Sequence, residues 1–344
     1  MTKKLILGSM FILAIGGLAW AMVHQKRKQL EHFKYPELRK SFCQKCKWQE
    51  RPLEDRIFEI PDEVLSFLTQ DNLRQGWSNR PTRVTLSSEN QILVKDVLRE
   101  LPDLVKTKAG PLLAGLFFVK DLGGTAYSDY LVDDAGNPFA GFIVFDELIF
   151  KMKANEWATW KEKSPFKLDE RIWDLRMTIE KKEDDNIKSA FQFIAPHEFG
   201  HIVSINSGMH PPWGYPMSSD KHPSKYEFSK LSWTLDDDTP ISLFDDVFPL
   251  RNQIHFYKGD FTTNIEEVYR ELERTHFPTL YSATNMADDF ADSFASLVHV
   301  VLFKRPYKIV LLKNGNPTNT LRSCWGQSRC LEKVNLLRNF LNVE

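Results

Sequence analysis

Phe191-Gln192-Phe193-Ile194-Ala195-Pro196-His197-Glu198-Phe199-Gly200-His201-Ile202-Val203-Ser204-Ile205 is an apolar run interrupted by two histidines and a glutamate. On a helix, residues four apart leave the same face about one turn apart, so both imidazoles can reach a single metal ion. The glutamate between them then stands beside that ion, where it can take a proton from a metal-activated water and later return it. Phe191, Phe193, Ile194, Ile202 and Ile205 supply the apolar surface of a buried helix, which a chance occurrence of the spelling would not require. The helix is expected from about Asp185 to Ser207, with Gly208 as its stop signal. Pro196 lacks a backbone donor and is expected to kink or restart it.

A catalytic zinc needs a third protein ligand and one open position. A longer motif with Gly at 204 and His at 207 is excluded by Ser204 and Ser207. The best supply of carboxylates is Asn285-Met286-Ala287-Asp288-Asp289-Phe290-Ala291-Asp292. There Asp288 and Asp292 fall one helical turn apart on a common face, so one can bind the metal while the other orients a ligating imidazole. Asp289 is the alternative third ligand.

With Tyr281 added, these two blocks resemble the zinc site of gluzincin metallopeptidases, most closely the catalytic domain of anthrax lethal factor and related bacterial peptidases. In that family a tyrosine stands seven positions before the ligand glutamate and an acidic residue four after it, as Tyr281 and Asp292 stand about Asp288. The resemblance covers about thirty residues and does not extend to the rest of the chain. It implies a zinc-dependent peptidase with His197, His201 and Asp288 on the metal, Glu198 as general base, Tyr281 donating to the oxyanion and Asp292 supporting a histidine. It also implies a polypeptide substrate bound along a sheet edge, expected within Gly141 to Phe150. Asp288 is one methylene shorter than the family's glutamate, so its helix must approach the metal more closely, or Asp289 must take its place.

Around this site the pattern predicts an α+β zincin-like domain over residues 61–344. A small mixed sheet would lie over the active-site helix, and the C-terminal half would be mainly helical. Apolar residues at three- and four-residue spacing predict helices in Pro61 to Leu68 and Glu89 to Leu98, and Leu113 to Leu122 and Gly141 to Phe150 read as strands. Met209 to Trp233 is dense in Pro, Gly, Ser and His and reads as a long loop beside the site. Helical pattern returns over Asn264 to Glu273, about Asn285 to Phe303, and Arg329 to Asn342. His210 reads as a surface loop residue, His255 and His276 as weak oxyanion partners, and His299 as too far along its helix to share the metal.

The 344 residues carry 45 Lys and Arg against 46 Asp and Glu, so no global field steers the chain to nucleic acid. Leu5 to Val23 is almost uncharged behind Lys3 and Lys4, and reads as a signal anchor or signal peptide over residues 1–23. Ala19-Trp20-Ala21 has the form of a cleavage site, while the length favours a retained anchor; Lys26, Arg27 and Lys28 leave the orientation open. The protein is thus expected to be membrane-anchored or exported, with its folded part outside the cytoplasm. Residues 24–60 read as a linker or N-terminal extension containing Cys43 and Cys46. With Cys324 and Cys330 these make two disulfides in an oxidising compartment, or less readily a four-thiolate zinc site. The close spacing of Cys324 and Cys330 favours a bridge between them. Two rival readings stand beside the peptidase: a catalytically inactive zincin-like module that binds peptides or cell-wall material, and a membrane scaffold in which the HEFGH spelling is accidental.

Overall fold

The computed structural model describes residues 48–343 apart from 134, 216 and 263. Its helices are α1 (Asp62–Arg74), α2 (Ser88–Glu100), α3 (Asp103–Ala109), α4 (Ala154–Lys163), α5 (Ile187–Ser204), α6 (Ile265–Leu272), α7 (Met286–Leu297) and α8 (Leu331–Leu341). The strands are β1 (Thr82–Arg83), β2 (Leu113–Lys120), β3 (Ala126–Val132), β4 (Pro138–Asp146), β5 (Trp173–Thr178), β6 (Trp233–Asp236), β7 (Thr239–Ser242), β8 (Lys308–Lys313) and β9 (Asn316–Arg322). The fold is a mixture of helices and small sheets, consistent with the α+β class. The apolar N-terminal segment and the Cys43, Cys46 pair lie outside the described residues. Among the described residues no helix is long and apolar enough to cross a membrane.

Local chemistry starts the site helix. The Asn186 side chain accepts from the Ser189 backbone N–H at 2.9 Å, and Ser189 Oγ accepts from the Asn186 N–H at 3.0 Å, so two otherwise orphaned donors are satisfied where α5 begins. Helix α5 does not restart at Pro196. Every residue from Ser189 to Pro196 is buried, and that packing outweighs the local penalty of a proline. The chain leaves α5 through Asn206 (φ 54°) and Gly208 (φ 74°), a left-handed exit that Gly tolerates at no steric cost.

Helix α5 lies against a four-stranded mixed sheet of order β1-β2-β4-β3, in which β2 and β4 are parallel and the outer pairs antiparallel. Strand β4 alternates: Ile143 and Phe145 join the core under α5, while Phe142 and Val144 face Val64 and Leu68 of α1. Gly141 admits the helix, since a Cβ there would stand 2.6 Å from Ile202 Cδ1. Among the described residues the outer strands of the sheet are β1 and β3, not the Gly141 to Phe150 segment expected to form its edge: β4 is interior, hydrogen-bonded on both sides. Residues 48–60 pack on the same body. Trp48 is buried, the Arg56 guanidinium donates to the carbonyls of Arg51, Gly110 and Leu113, and Ile57 bridges Leu116.

The C-terminal half contains α5 to α8 together with an antiparallel sheet β5-β8-β9 and the hairpin β6-β7. Helix α8 follows directly on a disulfide between Cys324 and Cys330, both fully buried. Helix α7 is capped by Asn285, whose side chain accepts from the N–H groups of Ala287 and Asp288, each at 3.0 Å. It runs on into a wider turn over Val298–Leu302.

The decisive contact is between α5 and α7. A Cβ added at Gly200 would fall 2.7 Å from the Ala291 Cα and 3.0 Å from its carbonyl oxygen, so the two backbones touch. Gly200→Ala is therefore expected to force the helices apart and to destabilise the fold by about 1–3 kcal/mol. Thermal unfolding measures the loss; an unchanged midpoint would mean that the crossing has slack.

Candidate metal centre

That crossing brings three ligand-bearing side chains together. His197, His201 and Asp288 each offer an atom, all within 4.8 Å of one another. Asp288 Oδ1 stands 3.6 Å from His197 Nε2 and 3.4 Å from His201 Nε2. Both spacings are long for hydrogen bonds but match the edge of a tetrahedron of zinc ligands, about 3.3–3.6 Å for bonds of 2.0–2.2 Å. The second oxygen of Asp288 is occupied elsewhere, accepting from Asn285 Nδ2 at 2.6 Å, which leaves Oδ1 aimed between the imidazoles.

His197 is oriented from behind. Its Nδ1 is 3.0 Å from Asp292 Oδ1, and since a carboxylate only accepts, Nδ1 carries the proton and Nε2 keeps its lone pair for a metal. Asp292 also accepts from Thr279 Oγ1 and from Lys161 Nζ, the latter at 3.5 Å. Lys161 reaches this point from α4, buried, with its ammonium 4.0 Å from the Tyr281 ring centroid. Glu198, 6% exposed, accepts from Ser128 Oγ at 2.6 Å, which ties the carboxylate to the edge strand β3. Tyr281 sits on a short turn before α7 with its ring 5.4 Å from that of His197.

Asp289 is not among the clustered ligands. It is fully buried in a separate network, accepting from Lys333 Nζ at 2.6 and 2.7 Å and from Trp233 Nε1 at 2.9 Å. Of the two adjacent aspartates, Asp288 therefore faces the cleft and Asp289 the core. His210 is 4% exposed, contrary to its reading as a surface residue, because the loop folds inward and packs it on Phe290 of α7. His299 is taken up by the carbonyls of Ile179 and Pro306, and His276 lies half-buried against Phe244. His255 lines a neighbouring cavity of about 460 Å³ that shares Tyr281 and Asp288 with the main cleft.

That main cleft, about 770 Å³, has His197, Glu198, His201 and Asp288 at its floor, Ser128 of β3 on one side and Trp213 at one end. Ser128, Lys161 and Tyr257 escaped sequence reasoning. Tyr257 holds a backbone φ of 66°, unusual for an aromatic residue, with its hydroxyl 3.4 Å from Thr125 Oγ1. Comparison with protein-family models, with curated proteins and with solved structures finds no match to this chain. What speaks for a metal is thus the donor set itself: two imidazoles and one carboxylate, with Nδ1 of one imidazole already held by a second carboxylate.

The electrostatics favour a cation. Without metal, burial would lower the His197 pKa, but Asp288 and Asp292 outweigh it and push it up to about 9. Burial likewise raises Asp292, yet Lys161 and His197 bring it down to about 2, and the two imidazoles hold Asp288 well below the usual carboxylate range despite its burial. A group whose folded pKa is raised stabilises most below its unfolded value, here 6.5, and that stability is lost as pH rises through about 9. Chelator-treated wild type should therefore lose thermal stability between pH 6.5 and 9 more steeply than His197→Gln, as unfolding midpoints across that window will register. Equal slopes would exclude His197 as the titrating group.

Proposed function

We propose that the chain is a zinc-dependent metallopeptidase. The observation that carries this reading is the placing of the Glu198 carboxylate beside the His197, His201, Asp288 cluster, in a cleft bounded by the edge strand β3. Zinc fits the donor set, and when bound it supplies acidified water and polarises a carbonyl. His197, His201 and Asp288 hold it, and Asp292 keeps His197 in the ligating tautomer.

Glu198 takes the water's proton on its carboxylate and passes it to the departing amine, with Ser128 fixing the carboxylate's orientation in between. Tyr281, whose phenol is held well above its ordinary pKa by burial and by neighbouring carboxylates, remains a neutral donor toward the oxyanion of the tetrahedral intermediate. An extended polypeptide lies in the cleft along β3, the last strand in the order β1-β2-β4-β3, with its scissile bond at Glu198 and the histidines. The Cys324–Cys330 disulfide suits an oxidising compartment, in keeping with an anchored or exported enzyme.

The full chain should bind about one zinc and cleave an unfolded protein substrate. Glu198→Gln should keep the zinc and lose ~10²–10⁴-fold in kcat/KM, whereas the double substitution His197→Ala, His201→Ala should lose both. Tyr281→Phe should lower kcat by ~10²–10³-fold with zinc retained. Zinc remaining stoichiometric in the double histidine variant would overturn the site, and undiminished cleavage by Glu198→Gln would overturn the mechanism.

A further inference from the structure

Among the described residues three buried imidazole nitrogens have no hydrogen-bond partner, His299 Nδ1 away from the cleft and His201 Nδ1 and His210 Nε2 beside it, and the chemistry of the last two is complementary. His201 turns Nε2 toward Asp288 at 3.4 Å, so as a metal ligand it carries its proton on Nδ1. His210 has Nδ1 2.7 Å from the Pro211 carbonyl oxygen, which can only accept. The His210 proton is therefore on Nδ1, and Nε2 is a bare lone pair. One ring has a proton to give and the other a site to receive it.

Both rings pack against the same indole: their centroids lie 5.5 Å (His201) and 5.9 Å (His210) from that of Trp213. Burial keeps His210 neutral, with its pKa lowered to about 4, and charge on His201 contributes to that lowering, which puts the two rings within electrostatic reach. Buried polar groups are rarely left unpaired, and a metal-bound histidine almost always passes its second N–H to an acceptor. His197 has that acceptor in Asp292. His201 has no acidic counterpart in hydrogen-bond contact.

We propose that His210 is the positioning residue of His201, its Nε2 accepting the Nδ1 proton across one bridging water and so holding Nε2 of His201 toward the metal. The inference rests on the metal-site reading of His197, His201 and Asp288. A neutral acceptor on one histidine and an anionic one on the other makes the two ligands unequal. The Asp292-backed ring is the stronger donor, while the His210-backed ring is oriented without adding charge to a centre that already holds three carboxylates.

Two measurements on the full chain separate this from a packing role. Imidazole ¹⁵N spectra should show His210 protonated at Nδ1 with or without zinc, and His201 protonated at Nδ1 once zinc is bound. Zinc affinity by chelator competition should fall ~10–100-fold in His210→Phe, which keeps a ring but no acceptor, and most of the loss should be recovered in His210→Gln, which restores an acceptor oxygen. His210 protonated at Nε2, or His210→Phe binding zinc as tightly as wild type, would overturn the proposal. If His210→Phe fails to fold, the wild-type spectra and the glutamine variant still decide. Wild type that takes up no zinc would instead defeat the metal reading, and the tautomers would then settle the relation of the two histidines by themselves.

Discussion

Two backbones meeting at Gly200 and Ala291 set the geometry on which the site depends. The histidines project from α5 and the aspartates from α7, so the separation of these helices decides whether the carboxylate and imidazoles can share an ion. Asp has one methylene fewer than Glu, and a shorter arm needs a closer axis. The glycine between the ligands of α5 and the alanine before Asp292 remove the side chains that would otherwise hold the helices apart. The close approach at Gly200 and Ala291 thus suits the short arm of Asp288, and Asp289 stays with Lys333 in the core.

Charge balance explains why the acidic residues of α7 behave so differently. Asp289 is neutralised by Lys333 from α8, a buried pair whose partners would be costly to separate. Asp292 is shared between His197, Thr279 and Lys161, and Asp288 has only the two imidazoles and the hydrogen bonds from Asn285 and Thr284. The cleft therefore holds more negative than positive charge, an imbalance that a cation or a proton on His197 reduces. A proton and a divalent ion compete for the same place, which links metal uptake to proton release. Lys161 moderates the imbalance, drawing on Asp292 while its stem and ammonium lie among Trp157, Phe256 and Tyr281.

The helix periodicities of α5 and α7 were legible in the sequence, because a four-residue spacing has one geometric meaning on a helix. The capping residues Asn186 and Asn285 mark the same helices from their ends. Strand β3 was not legible: Ala126-Tyr127-Ser128-Asp129 offers mixed polarity, since an edge strand with one side on a cleft has no apolar alternation to display. Strand β5 pairs with β8 across more than a hundred residues, a contact that no local signal encodes. Lys161 gives no local sign of burial, because Phe256 and Tyr281, which pack on it beside Trp157 of its own helix, come from distant parts of the chain. Burial of His210 was equally hidden, because loop composition reports irregular backbone and says nothing about which way a side chain turns.

That loop is fastened rather than draped. Trp213 packs edge-on against Tyr130 of β3 at 4.7 Å, its carbonyl accepts the Tyr130 hydroxyl, and its ring lies 5.5 Å from His201. Tyr215 stacks on Tyr130 at 5.8 Å and donates to the Gly136 carbonyl at 2.6 Å, so one short stretch grips both the strand edge and the ligand helix. Irregular backbone permits this, bringing Trp213 and Tyr215, two positions apart, onto the same Tyr130 ring while Trp213 also reaches His201. A positive φ at Gly214 makes the turn between them. The wall at this end of the cleft is therefore held by the same residues that flank His201 and His210, and a shift of the strand edge would be felt directly at the metal ligands.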